Sequence, residues 1–313
     1  MTQSIKAMMP FAYFKSALVP HAEAVISIAS HSLQYGTMCF GGMRGYVVGK
    51  EARILRLRDH HERLMNAAKI LGFKYYMPYE EFSVIIADII KANAPQTDFY
   101  LRPFIFCDDE VIGPCMDERS YYLAVYLIPL SQYFKKAGGL RLMVSSRKKF
   151  SDVSMSTKAK ASGCYLNSAL ATSEARRCGY DEALVMDDLG SIVEASVANL
   201  FIVYRGEVLT PAIGSGPLEG ITMRTVIELL KDDNIPVSFS IIDRSMLYTA
   251  DEVFLTGSAA QVSYVESVDS RVIGPDPAKP TMGPICARAQ TLFTQLITMD
   301  HKLSPKYMSV FKF

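Results

Sequence analysis

The chain reads as an α+β protein. It has a small N-terminal α/β domain (1–129), a connection (130–139) and a larger, barrel-like C-terminal domain (140–313). Three observations predict this. Helical stripes and strand-like runs share the first 129 residues. "PLSQYFKKAGG" carries a proline and ends in a glycine pair, which suits a link between domains. Beyond it hairpin signatures outnumber strand–helix–strand units, so the sheet there should be largely antiparallel and curled.

In the first half, "MRGYVV" and "ARILRL" flank Gly49-Lys50 as strand, turn and strand. "RDHHERLMNAAKILGF" is a helix with Leu64, Ala67, Ala68 and Leu71 on its apolar stripe and Gly72 at its stop. "YEEFSVIIADIIKANA" is a second helix, with Phe82, Ile85, Ile86, Ile89 and Ile90 inward. "FYLRPFIFC" and "SYYLAVYLI" are strands. In the second half "LRLMVSS" is a strand. Residues 162–178 follow a helical period, with Leu166, Ala169, Leu170 and Ser173 on one face and Gly179 as cap. "EALVMDDLGSIVEAS" and "NLFIVYRGEVLTP" are hairpins. "GSGPLEG" leads into the helix "ITMRTVIELLKD". "DEVFLTGSAAQVSYVESV" is strand, tight turn, strand, and "PICARAQTLFTQLI" is the last helix.

Half of the 313 residues are hydrophobic, enough for a sizeable core with apolar surface left over for a subunit interface. With 33 basic and 32 acidic residues, the charge balance gives no support to a nucleic-acid or membrane-surface role. The six cysteines form no C-x-x-C pair and read as free, buried thiols in a reducing compartment. The five histidines form no metal-ligand pattern, and no metal is expected. The N-terminus carries no signal-peptide pattern, and "YYLAVYLIPL" is too short to span a bilayer as a helix. A cytoplasmic location is the expectation.

Five places could carry chemistry. "MSTKAKASGCYLNSA" sets Lys158 and Lys160 two positions apart with no acid nearby. They are either solvated loop charges, or one is buried and reactive, because burial lowers an amine's pKa toward the nucleophilic range. Glu194, in "GSIVEASVANLF", ends an apolar strand. It either pairs with a nearby lysine or arginine or faces a cationic ring nitrogen on a ligand. "PLEGITMR" opens a helix at Ile221-Thr222, where free N–H groups and the helix dipole suit a phosphate, or which is an ordinary capped start. The preceding "GSGPLEG" is not a P-loop, since no Lys-Ser/Thr follows its second glycine. "FLTGSAA" makes a small-residue turn at Thr256, Gly257, Ser258 and Ala259, either an anion cradle or a tight connection. Arg58, at a helix start, either reaches a phosphate or is exposed.

In order and spacing these residues resemble the class IV aminotransferases, pyridoxal-phosphate enzymes of fold type IV with the D-amino acid aminotransferase-like fold. Within that class the similarity is strongest to the branched-chain amino acid aminotransferases. The phrases that carry it are "SHSLQYGTMCFGGMRGY", "LRLRDHHERLMNAAKIL", "YLRPFIF", "KASGCYLNSALATSEARRCGYDEALVMDDLGSIVEASVANLFIV", "TPAIGSGPLEGITMRTVIELL" and "LYTADEVFLTGSAAQV". They run from about residue 31 to 262, and the tract from 160 to 224 is the most specific. In the family the Schiff-base lysine stands five positions before the tyrosine and 34 before the glutamate. Lys160 meets both spacings and Lys158 neither. Lys158 is left as a neighbour that tunes local charge, or as a solvated side chain.

The resemblance implies pyridoxal 5'-phosphate as cofactor and a role for each residue. Lys160 binds the cofactor aldehyde and then moves the substrate proton. Glu194 keeps the pyridine nitrogen protonated, and Tyr165 bonds the phenolic oxygen. Arg58, Ile221, Thr222 and Ser258 hold the phosphate. Tyr100, Ser258 and Ala259 hold the substrate α-carboxylate, and Arg102 meets the distal carboxylate of glutamate or 2-oxoglutarate. Tyr35, Phe40 and Tyr133 line the side-chain pocket, with Tyr35 crossing from a second subunit of a homodimer or higher oligomer. The implied reaction is ping-pong transfer of the amino group of leucine, isoleucine or valine to 2-oxoglutarate. The alternatives are a D-amino acid or (R)-amine aminotransferase, an aminodeoxychorismate lyase or, in another class, a non-catalytic phosphate-ligand binding protein. The chain departs from the family pattern at Gly41, where an acid is usual, and at Leu130, near the place of a pocket tryptophan. It departs again in the acidic loop "CDDEVIGPCMDERS", expected over the site, and in the tail "HKLSPKYMSVFKF", which resembles nothing in the family.

Overall fold

The structure, a computed structural model, describes residues 8–130, 133–134, 138–276, 278 and 280–313. Residues 131, 132 and 135–137 of the connection read at 130–139 lie outside the described residues. By its contacts the chain divides into two compact units. One comprises Met1–Tyr133, Ala159–Cys164 and Lys302–Phe313, and the other Phe134–Lys158 and Tyr165–His301.

In chain order the first unit holds β1 (Phe11–Lys15), β2 (Ala17–Pro20), α1 (His31–Tyr35), β3 (Met38–Phe40), β4 (Met43–Val48), β5 (Glu51–Leu55), α2 (Leu57–Ile70), α3 (Tyr79–Asn93), β6 (Phe99–Cys107) and β7 (Tyr121–Pro129). The second holds β8 (Leu140–Lys148), α4 (Tyr165–Arg177), β9 (Glu182–Met186), β10 (Ile192–Ala195), β11 (Asn199–Tyr204), β12 (Glu207–Pro211), α5 (Ile221–Asp232), β13 (Val237–Ser240), α6 (Arg244–Tyr248), β14 (Glu252–Gly257), β15 (Gln261–Val268), β16 (Arg271–Val272) and α7 (Pro284–Thr298). The chain then returns to the first unit with α8 (Ser304–Tyr307) and β17 (Met308–Lys312).

The first sheet has the order β17-β5-β4-β6-β7-β1-β2, with β3 on β6, and its described pairs are all antiparallel. Helices α2 and α3 supply its core. On α3 the buried residues are the five that the stripe predicted, each worth about 1.5–3 kcal/mol when fully buried. On β6 burial alternates with the strand period, so Phe99, Leu101 and Ile105 point into the core while Tyr100 and Arg102 share the other face. The C-terminal tail is an edge strand of this sheet, held where Arg56 stacks 3.7 Å from the Tyr307 ring centroid.

The second sheet runs β10-β9-β8-β15-β14-β11-β12-β13, with β16 on β15. One core cluster draws apolar residues from β8, β9, β10, β11, β12, β14 and β15, as a sheet curled around its own interior does. The antiparallel hairpins expected at 182–195 and 199–211 are present. The pairs β8–β9, β8–β15 and β12–β13 are parallel, so this sheet is more mixed than the sequence reading had it. Helix α4 differs twice. It starts at Tyr165, because the preceding six residues join the first unit. Its buried residues are Ala171 and Ala175, while Leu166 and Leu170 are exposed. Small side chains let the helix approach β8 and β9 closely, and size rather than hydrophobicity selected the inward face. Among the cysteines, Cys115 and Cys178 are exposed, contrary to the reading of all six as buried. The buried Cys39 thiol is pushed up to about 12, chiefly by desolvation, and is inert. Among the described residues no helix is long and apolar enough to cross a membrane.

Candidate active site

In the first unit the segment 159–164 lies antiparallel to β3. The Phe40 N–H donates to the Lys160 carbonyl at 3.0 Å, the Ser162 N–H donates to the Met38 carbonyl at 2.8 Å, and Cys39 faces Ala161. The two bonds flank Ala161 and anchor the backbone immediately after the lysine. Lys160 Nζ lies 5.0 Å from the Phe40 ring centroid. Arg102 Cζ lies 4.5 Å from the same ring and 5.2 Å from that of Tyr100. The structure therefore brings Lys160, Phe40, Tyr100 and Arg102 together, and two cations around one ring favour an anionic ligand such as a carboxylate.

A side chain on Gly36 would sit 3.1 Å from the Gly163 Cα, so the end of α1 packs closely on the segment after Lys160. Tyr35 ends α1, and its hydroxyl accepts from the Gly113 N–H at 2.9 Å. Buried His31 meets the Gly113 carbonyl at 2.9 Å and the Thr37 hydroxyl at 2.8 Å. Thus α1 grips the acidic loop through Gly113. Tyr133 is exposed, and Leu130 is buried. At Gly41 a Cβ would lie 2.9 Å from Pro103 Cγ, which leaves no room for an acid unless the proline moves. Arg58 stands apart from the Lys160 group. Its side chain is 59% exposed, stacks 3.8 Å from the Tyr79 ring centroid and lies 3.6 Å from Glu80.

The second unit holds Tyr165, Glu194, Ile221, Thr222, Ser258 and Ala259. Between β9 and β10 the register shifts from Ile192 to Glu194, a bulge of the kind that re-aims a side chain. The buried Glu194 carboxylate accepts from Lys149 Nζ at 2.6 Å and from the Leu218 N–H at 3.1 Å. The lysine partner weighed in the sequence reading is therefore present, and a carboxylate with about four lone-pair sites retains acceptor capacity for a cationic ligand. Two positions on, the Ser196 hydroxyl donates to the buried Glu182 at 2.5 Å and lies 2.7 Å from the Thr172 hydroxyl. Burial pushes the Glu182 carboxyl up, partly offset by its bonds from Ser196 and the Ala183 N–H.

Helix α5 begins after Gly220, which supplies no side-chain cap to the first-turn N–H groups. A Cβ there would fall 1.9 Å from Asn199 Oδ1, so a larger residue would have to displace the Asn199 amide. Asn199 in turn donates to the Leu218 carbonyl at 2.8 Å. Ile221 and Thr222 are buried, Tyr165 starts α4 half-buried, and Ser258 and Ala259 form the half-buried β14–β15 turn. The Thr256 hydroxyl is buried there without a hydrogen-bond partner. An uncapped helix start, an orphaned hydroxyl beside the turn and a buried carboxylate fit a ligand with a phosphate and a protonated ring nitrogen.

Sequence reasoning missed Lys149, Asn199 and Leu218. Lys149 sits in a basic run that reads as solvated, yet its side chain is 14% exposed against 53% for Lys148. Arg63, a half-buried arginine of α2 on the helical face of His60 and Ala67, did not enter the sequence reading either.

Residues 38–268 match the family described as amino-transferase class IV. The chain belongs to the class IV aminotransferases. It is thus a transaminase of the class that uses pyridoxal phosphate, which overturns the reading of a non-catalytic binding protein. It is 36% identical over 294 residues to the branched-chain-amino-acid aminotransferase of Escherichia coli (strain K12), covering 92% of this chain and 93% of that protein. The crystal structure of a branched-chain aminotransferase from Thermoproteus uzoniensis with norvaline matches with a TM-score of 0.92 at 34% identity, covering 97% of this chain and 99% of that one. The crystal structure of a T.th. branched-chain amino acid aminotransferase complexed with N-(5'-phosphopyridoxyl)-L-glutamate gives 0.89 at 34% identity, covering 96% of this chain and 98% of that one. Fold type IV, expected from the resemblance, is the fold of this class IV aminotransferase.

Proposed function

We propose that this class IV aminotransferase moves the amino group of an L-branched-chain amino acid to 2-oxoglutarate in a ping-pong cycle. The similarity to branched-chain enzymes supports the donor, and the phosphopyridoxyl-glutamate complex of the T.th. enzyme supports the acceptor. One observation carries the cofactor half. Leu218 donates its N–H to Glu194 and lies three residues before the uncapped start of α5, so a cation partner and an anion partner share one short stretch.

Bound pyridoxal phosphate supplies an electrophilic aldehyde and an electron sink. Lys160 holds that aldehyde through its Nζ and afterwards takes and returns the substrate Cα proton. Glu194 keeps the ring nitrogen protonated, and Tyr165 bonds the phenolic oxygen. The Ile221 and Thr222 N–H groups, the Thr222 hydroxyl and Ser258 bind phosphate. The resemblance gives the phosphate arginine as Arg58; of the two α2 arginines we favour the half-buried Arg63 over the 59% exposed Arg58, since a phosphate contact shielded from water is the stronger one. Tyr100, Ser258 and Ala259 orient the α-carboxylate, Arg102 the distal carboxylate, and Tyr35, Phe40 and Tyr133 shape the pocket. A homodimer accounts for exposed Val153, Leu166 and Leu170 in one unit and Val25, Ile28 and Leu33 in the other.

Borohydride reduction of the yellow protein followed by peptide mapping tests the lysine. Label on Lys160 and none on Lys158 is expected, with transaminase activity in Lys160→Ala down at least about a thousandfold. Label elsewhere overturns the assignment. Activity with D-alanine but not L-leucine overturns the substrate.

A further inference from the structure

Lys158 is half-buried and makes contacts of its own. Its side chain is 34% exposed, and its Nζ donates to the Ile213 carbonyl at 3.1 Å and the Pro217 carbonyl at 3.5 Å, with Glu219 Oε1 at 3.6 Å. Two carbonyls accept from the ammonium, and Glu219 adds an ion-pair contact beyond hydrogen-bond distance. The stretch they belong to has only one short turn of 3-10 helix, Ile213–Ser215, and otherwise no regular structure before α5. Such a segment keeps one conformation only if side chains tie it down against its conformational entropy. Immediately downstream come the Leu218 N–H on Glu194, the Gly220 start of α5 against Asn199, and Thr222.

We propose that Lys158 is a positioning residue: it staples the 213–219 loop and so sets the Leu218 N–H and the phosphate-binding start of α5. This rests on the pyridoxal-phosphate site described above. The carbonyl bonds do the stapling, since a half-exposed ion pair with Glu219 is worth little.

The test titrates apoenzyme with pyridoxal phosphate and follows absorbance. Lys158→Met should weaken cofactor binding about tenfold, the loss of hydrogen bonds to a charged donor. At saturating cofactor, kcat and the amino acid KM should stay within about twofold of the parent. The apoenzyme Tm should move by less than about 2 °C, which separates a displaced loop from a damaged fold. Lys158→Arg should recover most of the affinity, and Glu219→Gln should remain within about twofold of the parent. If Lys158→Met does not fold, Lys158→Gln takes its place with the same ranking expected. Unchanged cofactor affinity without the lysine, or a fall in kcat at saturating cofactor, overturns the proposal. A parent protein that takes up no pyridoxal phosphate overturns the cofactor site instead.

Discussion

The stretch that carries Lys160 and the loop that leads into α5 are both short of regular structure, yet they are secured by different means. Around Lys160 the main chain does the work, through ladder bonds from Phe40 and Ser162 to and from β3. Before α5 the side chains do it, through Lys158, Asn199 and the Lys149–Glu194 pair. Backbone bonds survive nearly any substitution, whereas a side-chain tie is lost with one codon. Geometry should therefore be robust at the lysine and fragile at the phosphate side.

The largest break in that comparison should come from Lys149→Met. It leaves buried Glu194 with the Leu218 N–H alone, and losing one partner of a buried pair costs about 3–5 kcal/mol. Urea unfolding should show that loss, and Lys149→Met combined with Glu194→Gln should regain much of it. A loss below about 1 kcal/mol would mean that the pair is solvated in solution. Smaller is the contrast within α2. Arg63→Ala should weaken pyridoxal-phosphate binding by about tenfold and Arg58→Ala by less than twofold, roughly the difference between a charged hydrogen bond and an exposed pair. The reverse order, read by the same titration, returns the phosphate to Arg58.

The smallest effect sharpens the comparison by pH. Glu182 secures Ser196, two residues from Glu194, and burial raises its carboxyl above the unfolded value. A raised acid stabilises the fold fully below the unfolded pKa and loses that contribution as pH climbs through the folded one. Glu182→Gln should match the parent in acid and exceed it in Tm at neutral pH. A constant difference across the range would show that the carboxyl does not titrate there.

The sequence made much of this legible where one rule acts alone. The isoleucine stripe of α3 and the shared face of Tyr100 and Arg102 follow from period. It misled where two rules compete. Helix α4 buries alanines and exposes leucines because close approach to β8 and β9 outweighs hydrophobicity. Lys149 was hidden because burial of a charge depends on a partner 45 residues away. The tail's strand was invisible because its pairing partner, β5, lies far back in the chain.

That strand bears on how the protein is born. While translation proceeds, β5 is an open edge with unpaired amides and carbonyls, exposed to any neighbouring strand. Residues 308–312 cover it only after residues 56–307 have emerged from the ribosome, and contacts so distant in sequence form slowly. A stalled or truncated polypeptide therefore carries a sticky margin that the finished one conceals, and nascent chains would be the form in greatest need of a chaperone.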